Sequence, residues 1–169
     1  AGYMPISAVV VSGRIHEALT QDAGGTGVFG HGFTHSGNPV GAAVALEAIR
    51  IYEELGVPAL PRELGAHLHR GLAEIAQHPL VGDVRGRGML AGIELVRDKR
   101  TKAPFDAQVG MGAKVEARAR HHGIIVRTMG DTIALSPPYT MSHEEINELA
   151  ASLGRALDDV LAAQACAPA

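Results

Sequence analysis

The sequence predicts a mixed fold, α/β to α+β, and three patterns carry that prediction. A β-branched apolar run stands at residues 6–11, as in a buried strand. Helical periods recur, clearest in the stripe of Leu64, Leu68, Leu72 and Ile75. From about residue 60 the order reads helix, two strands, helix, two strands, helix. Such an order builds a small domain with a mostly antiparallel sheet covered by helices on one face. The resulting organisation is the end of a larger domain over residues 1–58, a small domain over 59–165, and a disordered tail over 166–169.

Each element has its own signal. The run at 6–11 ends at the turn residues Ser12-Gly13, and a short helix follows over 14–19. Residues 20–38 are rich in Gly, Thr and His without a helical period. Asn38-Pro39 then reads as an N-cap followed by proline at the first helical position. That helix runs to about Leu55 and stops at Gly56. Its first half, Ala42 to Leu46, is small and apolar all round, so burial on most sides is expected. A second helix spans 61–77. Strands are expected at 81–85 and 89–96, around the turn Gly86-Arg87-Gly88, with a charged, solvated loop at 97–102. A helix over 107–122 precedes a hairpin of 123–127 and 132–135 turning at Gly130-Asp131. Ser142 and Glu145 form a capping box that opens a last helix ending near Ala163.

Composition narrows the function. The chain has 169 residues, and a net charge of −3 argues against nucleic acid or an anionic membrane surface as a partner. No apolar run is long enough to cross a bilayer, and no secretory signal pattern is present. The single cysteine, Cys166, fits a reducing cytoplasm. The abrupt entry into an apolar run, with no initiator Met, suggests a fragment of a longer protein.

Residues 30–41 have the character of an anion seat. A helix N-terminus offers unpaired N–H groups and partial positive charge, glycines ahead of it admit an anion to the backbone, and Thr34 and Ser36 add hydroxyls. Thr, Ser and Asn before Pro are equally ordinary helix-starting residues. The histidines do not make a metal site by spacing: His31 and His35 lack a nearby carboxylate or Cys, His67 and His69 diverge on a helix, and His121 and His122 are adjacent.

The run His31-Gly32-Phe33-Thr34-His35-Ser36-Gly37-Asn38-Pro39-Val40 resembles the phosphate-gripping loop of class III aminotransferases, the enzymes of fold type I that use pyridoxal 5'-phosphate (PLP). Three more segments agree in order. Gly2-Tyr3-Met4-Pro5-Ile6-Ser7-Ala8-Val9 is similar to the strand after the family's Schiff-base lysine. Residues 84–95 resemble the small-domain strand pair. Arg127-Thr128-Met129-Gly130-Asp131 with Ser136-Pro137-Pro138 is similar to the C-terminal hairpin of the ω-amino acid:pyruvate branch. The resemblance implies the tail of the large PLP-binding domain followed by the small C-terminal domain. It implies that Thr34 binds the PLP phosphate of the neighbouring subunit in a homodimer, with Phe33 beside it. It implies that Arg127 binds the carboxylate of the amino or keto acid, a task for which a planar guanidinium is suited. Arg85 and Arg87 read as structural or surface residues.

The family's lysine has no counterpart here. The chain has three lysines: Lys99 and Lys102 in the charged loop, and Lys114 on a helix. None precedes a matching segment, so no catalytic residue is assigned, and this polypeptide alone is expected to be inactive. The expected reaction of the parent is amino transfer from an ω-amino acid or amine to a keto acid such as pyruvate. Aminomutases, decarboxylases and racemases share the same frame. A non-catalytic dimerisation or regulatory domain is the alternative outside the family.

Overall fold

The computed structural model describes residues 3–21 and 30–165; the tail expected to be disordered, residues 166–169, lies outside them. The described residues fall into two compact units, within Ala1–Gly56 and within Val57–Ala169.

The first unit holds helices α1 (Gly13–Gln21) and α2 (Pro39–Glu54). Asn38 caps α2: its Oδ1 accepts from the amides of Val40 at 2.9 Å and Gly41 at 3.2 Å, and Pro39 follows where no amide is needed. The strand expected at 6–11 does not form. A strand requires a ladder partner, and no described segment pairs with this one; Val9 and Val10 are 90% and 95% exposed. The burial expected for the first half of α2 is likewise absent. Of α2 only Gly41 is buried, because no described layer packs on its apolar surface.

The second unit is an antiparallel sheet of four strands with three helices on one face. Its elements are α3 (Leu60–Ile75), β1 (Val81–Arg87), β2 (Leu90–Leu95), α4 (Met111–His121), β3 (Arg127–Met129), β4 (Thr132–Leu135) and α5 (His143–Ala165), in the sheet order β1-β2-β4-β3. The leucine stripe of α3 is buried as the period requires, together with Ile93, Ile133, Met111, Val115, Ile146, Leu153 and Leu157. The capping box forms: Glu145 Oε2 accepts from the Ser142 amide at 2.7 Å, and Ser142 Oγ accepts from the Glu145 amide at 3.2 Å.

Three boundaries differ from the sequence expectation. The first hairpin turns at Gly88-Met89, because β1 continues to pair through Arg87. The helix expected over 107–122 is broken at Gly110, whose left-handed φ of 58° separates a one-turn 3-10 helix, Ala107–Val109, from α4. Residues 123–126 stay outside the ladder, which begins at Arg127.

Candidate functional site

Thr34 stands in a tight turn. The Ser36 amide donates to the Phe33 carbonyl at 2.9 Å, and the Phe33 amide donates to Ser36 Oγ at 2.9 Å. The reciprocal pair fixes the loop without using Thr34, whose hydroxyl and amide have no partner among the described residues. Phe33 is 76% exposed and meets His31 edge-on, with ring centroids 5.2 Å apart. A shallow groove of about 690 Å³ runs beside this turn; Pro5, Ile6 and Ser7 line it together with Phe33, His35 and Ser36. Two of the resembling segments therefore meet within one unit. The expected role of the helix terminus changes, however. Asn38 already occupies the amides of Val40 and Gly41, and Ser36 is committed to the turn. The amide and hydroxyl of Thr34 remain open to an anion, and the Ser36 hydroxyl, an acceptor in the turn, keeps its own proton to donate.

Arg127 lies on the open face of the sheet of the second unit. Successive strand residues point to opposite faces. The buried face carries the row Val84, Ile93, Ile133, Thr128. The open face carries Arg85, Gly92, Ala134, Arg127, one residue from each strand in register. Three inter-strand steps, roughly 14 Å, separate the two arginines. Between them lie only a hydrogen and a methyl group, so the middle of the row is a low strip.

The two guanidiniums differ in what they hold. Arg85 Nη1 donates to Glu94 Oε2 at 2.7 Å and to Asp83 Oδ2 at 3.1 Å, bonds that raise its pKa, with Glu94 the larger cause. Its charge is answered within the sheet, as a structural role requires. The Arg127 residue is exposed, and its guanidinium makes no hydrogen bond or ion pair with any described residue. It is the arginine of the row available to an incoming carboxylate.

The lysines do not offer a free amine at this strip. Lys99 Nζ donates to the carbonyls of Ala76 at 2.6 Å and His78 at 3.2 Å, past the end of α3. This anchoring was not visible in the charged run, which reads as a solvated loop. Lys102 belongs to the same loop, and Lys114 is exposed on α4. Among the described residues no group of three or more His, Cys, Asp or Glu side chains is placed to hold a metal ion.

The profile of the family described as aminotransferase class-III matches residues 1–157. The chain belongs to this family. Among its curated relatives is gamma aminobutyrate transaminase 3, chloroplastic, of Solanum lycopersicum, 42% identical over 94% of this chain and 31% of its own length. Vanillin aminotransferase of Capsicum annuum is 38% identical over 94% of this chain and 35% of its own. Among solved structures, one described as a transaminase with L-ala superposes with a TM-score of 0.85 at 39% identity, over 91% of this chain and 36% of that one. The ω-transaminase of Pseudomonas jessenii in complex with PMP gives 0.80 at 40% identity, over 88% and 33%. The class III chain thus spans about a third of the length of the relatives it matches. Its mixed fold is that of the corresponding part of these transaminases, and no described helix is long and apolar enough to cross a membrane.

Proposed function

We propose that this chain is the C-terminal portion of a PLP-dependent transaminase that moves an amino group from an ω-amino acid or amine to a keto acid such as pyruvate. On this reading residues 1–58 close the large PLP-binding domain and 59–165 form the small domain. The observation that carries the proposal is the exposed, unpartnered Arg127 at the end of the Gly92–Ala134 strip, in a chain that matches the class III family from residue 1 to residue 157. The relatives' names support the donor class: γ-aminobutyrate is an ω-amino acid. The lone cysteine supports a reducing compartment such as the cytoplasm.

The residues present suit the cofactor's phosphate. Thr34 presents a hydroxyl and an amide that nothing else uses, on a turn fixed by Ser36, and Phe33 lies exposed beside it. Through the family likeness, this turn would serve the neighbouring subunit of a homodimer. When bound, PLP supplies the electron sink that lets an amino group leave one carbon skeleton and join another. Arg127 grips the carboxylate beside the reacting carbon through two parallel hydrogen bonds and so orients the keto acid. The low strip of Gly92 and Ala134 leaves room for that approach. The amine that moves the proton is not among Lys99, Lys102 and Lys114.

The test is Thr34→Val in the full-length transaminase that carries this segment. The substitution keeps the shape and removes the hydroxyl. A hydrogen bond to a charged group contributes about 1.5–3 kcal/mol, so cofactor retention during dialysis should weaken about tenfold or more. Retention equal to that of the unaltered enzyme refutes the phosphate role of Thr34.

A further inference from the structure

Arg127 sits on the weakest strand of the sheet. β3 has three residues and lies at the edge, paired with β4 alone. An edge strand that short has one ladder to hold it, and its other side is open. An arginine that must meet a carboxylate in a bidentate geometry needs its backbone held more firmly than this.

The missing restraint comes from α4, at two points one helical turn apart. At the first, Asp131 Oδ1 accepts the Gly112 amide at 2.9 Å. There α4 lies backbone to backbone against the turn of the hairpin, since a Cβ on Gly112 would collide with the Gly130 carbonyl oxygen. At the second, Thr128 Oγ1 donates to Glu116 Oε2 at 2.9 Å. Thr128 is the neighbour of Arg127 and points to the opposite, helix-covered face. The far oxygen of the same carboxylate, Oε1, accepts from Arg120 Nη2 at 3.1 Å, so both oxygens of Glu116 are fixed. Gly112, Glu116 and Arg120 are spaced by four and share one face of α4.

We infer that Glu116, acting through Thr128, is a positioning residue for Arg127: it ties the edge strand to α4 and sets the direction in which the guanidinium leaves the open face. The inference rests on the carboxylate-binding reading of Arg127. Glu116 touches neither substrate nor cofactor on this account. Its side chain is on the helix side of the sheet, and its effect reaches the open face through one backbone step. The carboxyl of Glu116 is held below its ordinary range, first by the Thr128 hydroxyl and second by Arg120, so it stays a charged acceptor throughout the neutral range.

The experiment compares two acceptors in the full-length transaminase that carries this segment: pyruvate, and an aldehyde without a carboxylate. The readout is the ratio of their kcat/KM values, which a general loss of stability does not move. R127A sets the scale and should lower the pyruvate preference at least tenfold. T128V removes the hydroxyl and should lower it about fivefold, the effect of one lost hydrogen bond. T128S restores the donor and should recover the preference. E116A breaks the same bond from the other side and should repeat the fall even if T128V folds poorly. E116Q retains an acceptor oxygen and should recover. If R127A loses the preference while T128V and E116A keep it, the positioning role is overturned and the function proposed above survives. If R127A keeps the preference, the carboxylate reading fails and this inference fails with it.

Discussion

The imidazole of His78 accepts the Leu80 amide through Nδ1 at 3.2 Å, which leaves the proton on Nε2. That nitrogen is buried without a hydrogen bond, although Asp158 Oδ1 lies 3.4 Å away. At that distance the carboxylate acts on the ring through its charge. The side chain is 10% exposed, and burial pushes its pKa below the ordinary 6.5. Asp158 opposes the shift in part; Lys99, whose ammonium sits on the His78 carbonyl, adds to it. The unfolded chain therefore takes up this proton before the folded chain does. The stability linked to His78 is fully present above the unfolded value and is lost as pH falls from about 6.5 through the lower folded value. His78→Asn can keep an acceptor for the amide two residues on and cannot titrate. Urea unfolding between pH 7.5 and 5 should show a steeper acid loss for the unaltered chain than for the variant. Equal slopes would place the acid sensitivity in other groups.

Helices and strands were legible where their signals are local. Asn38 and the box of Ser142 and Glu145 are bonds within four residues, and both form as the sequence requires. The α3 stripe is a period within one helix, and each of its four members is buried. What the sequence could not disclose lies in contacts between distant segments. Residues 6–11 have a strand's composition but no ladder partner, and composition cannot report whether a neighbour is there. The left-handed Gly110 is one glycine in a helical period, and the period alone does not say which glycine breaks it. At the candidate site, Arg127 stood out beside a Gly-Asp turn and a double proline, but its clamp did not. The clamp joins Glu116 to Thr128 and Gly112 to Asp131, pairs 12 and 19 residues apart. A direct check of the second pair is Gly112→Ala. Its new methyl group would strike a carbonyl oxygen that cannot rotate away, so α4 and the hairpin must separate. Overpacking of this kind costs about 1–3 kcal/mol. Thermal unfolding should register that loss, and an unchanged midpoint would show that the close approach is not a constraint.

Across the whole molecule, burial is divided unequally between the two units. Every residue of the apolar core, from Leu64 to Val160, belongs to the second unit, while Val9, Val10, Phe33 and Leu46 of the first are largely exposed. A chain segment folds independently when it removes enough apolar surface from water to offset the entropy of ordering. The second unit meets that condition with a four-stranded sheet and three amphipathic helices closed around one core. The described part of the first unit does not, since its two helices bury a single glycine. Residues 57–165 produced alone should therefore unfold in one cooperative urea transition. Leu68, fully buried on α3, should lower that stability by about 2–5 kcal/mol when replaced by Ala. In the full chain, Val10→Ser should change the same transition by no more than about 0.5 kcal/mol, because Val10 is already in water. Amide exchange separates the two units in one experiment: the slowest amides should fall in β2, β4 and α5, and those of α1 and α2 should exchange with little protection. Strong protection of α2 in this chain would mean that its apolar surface has found a partner, and would overturn the division.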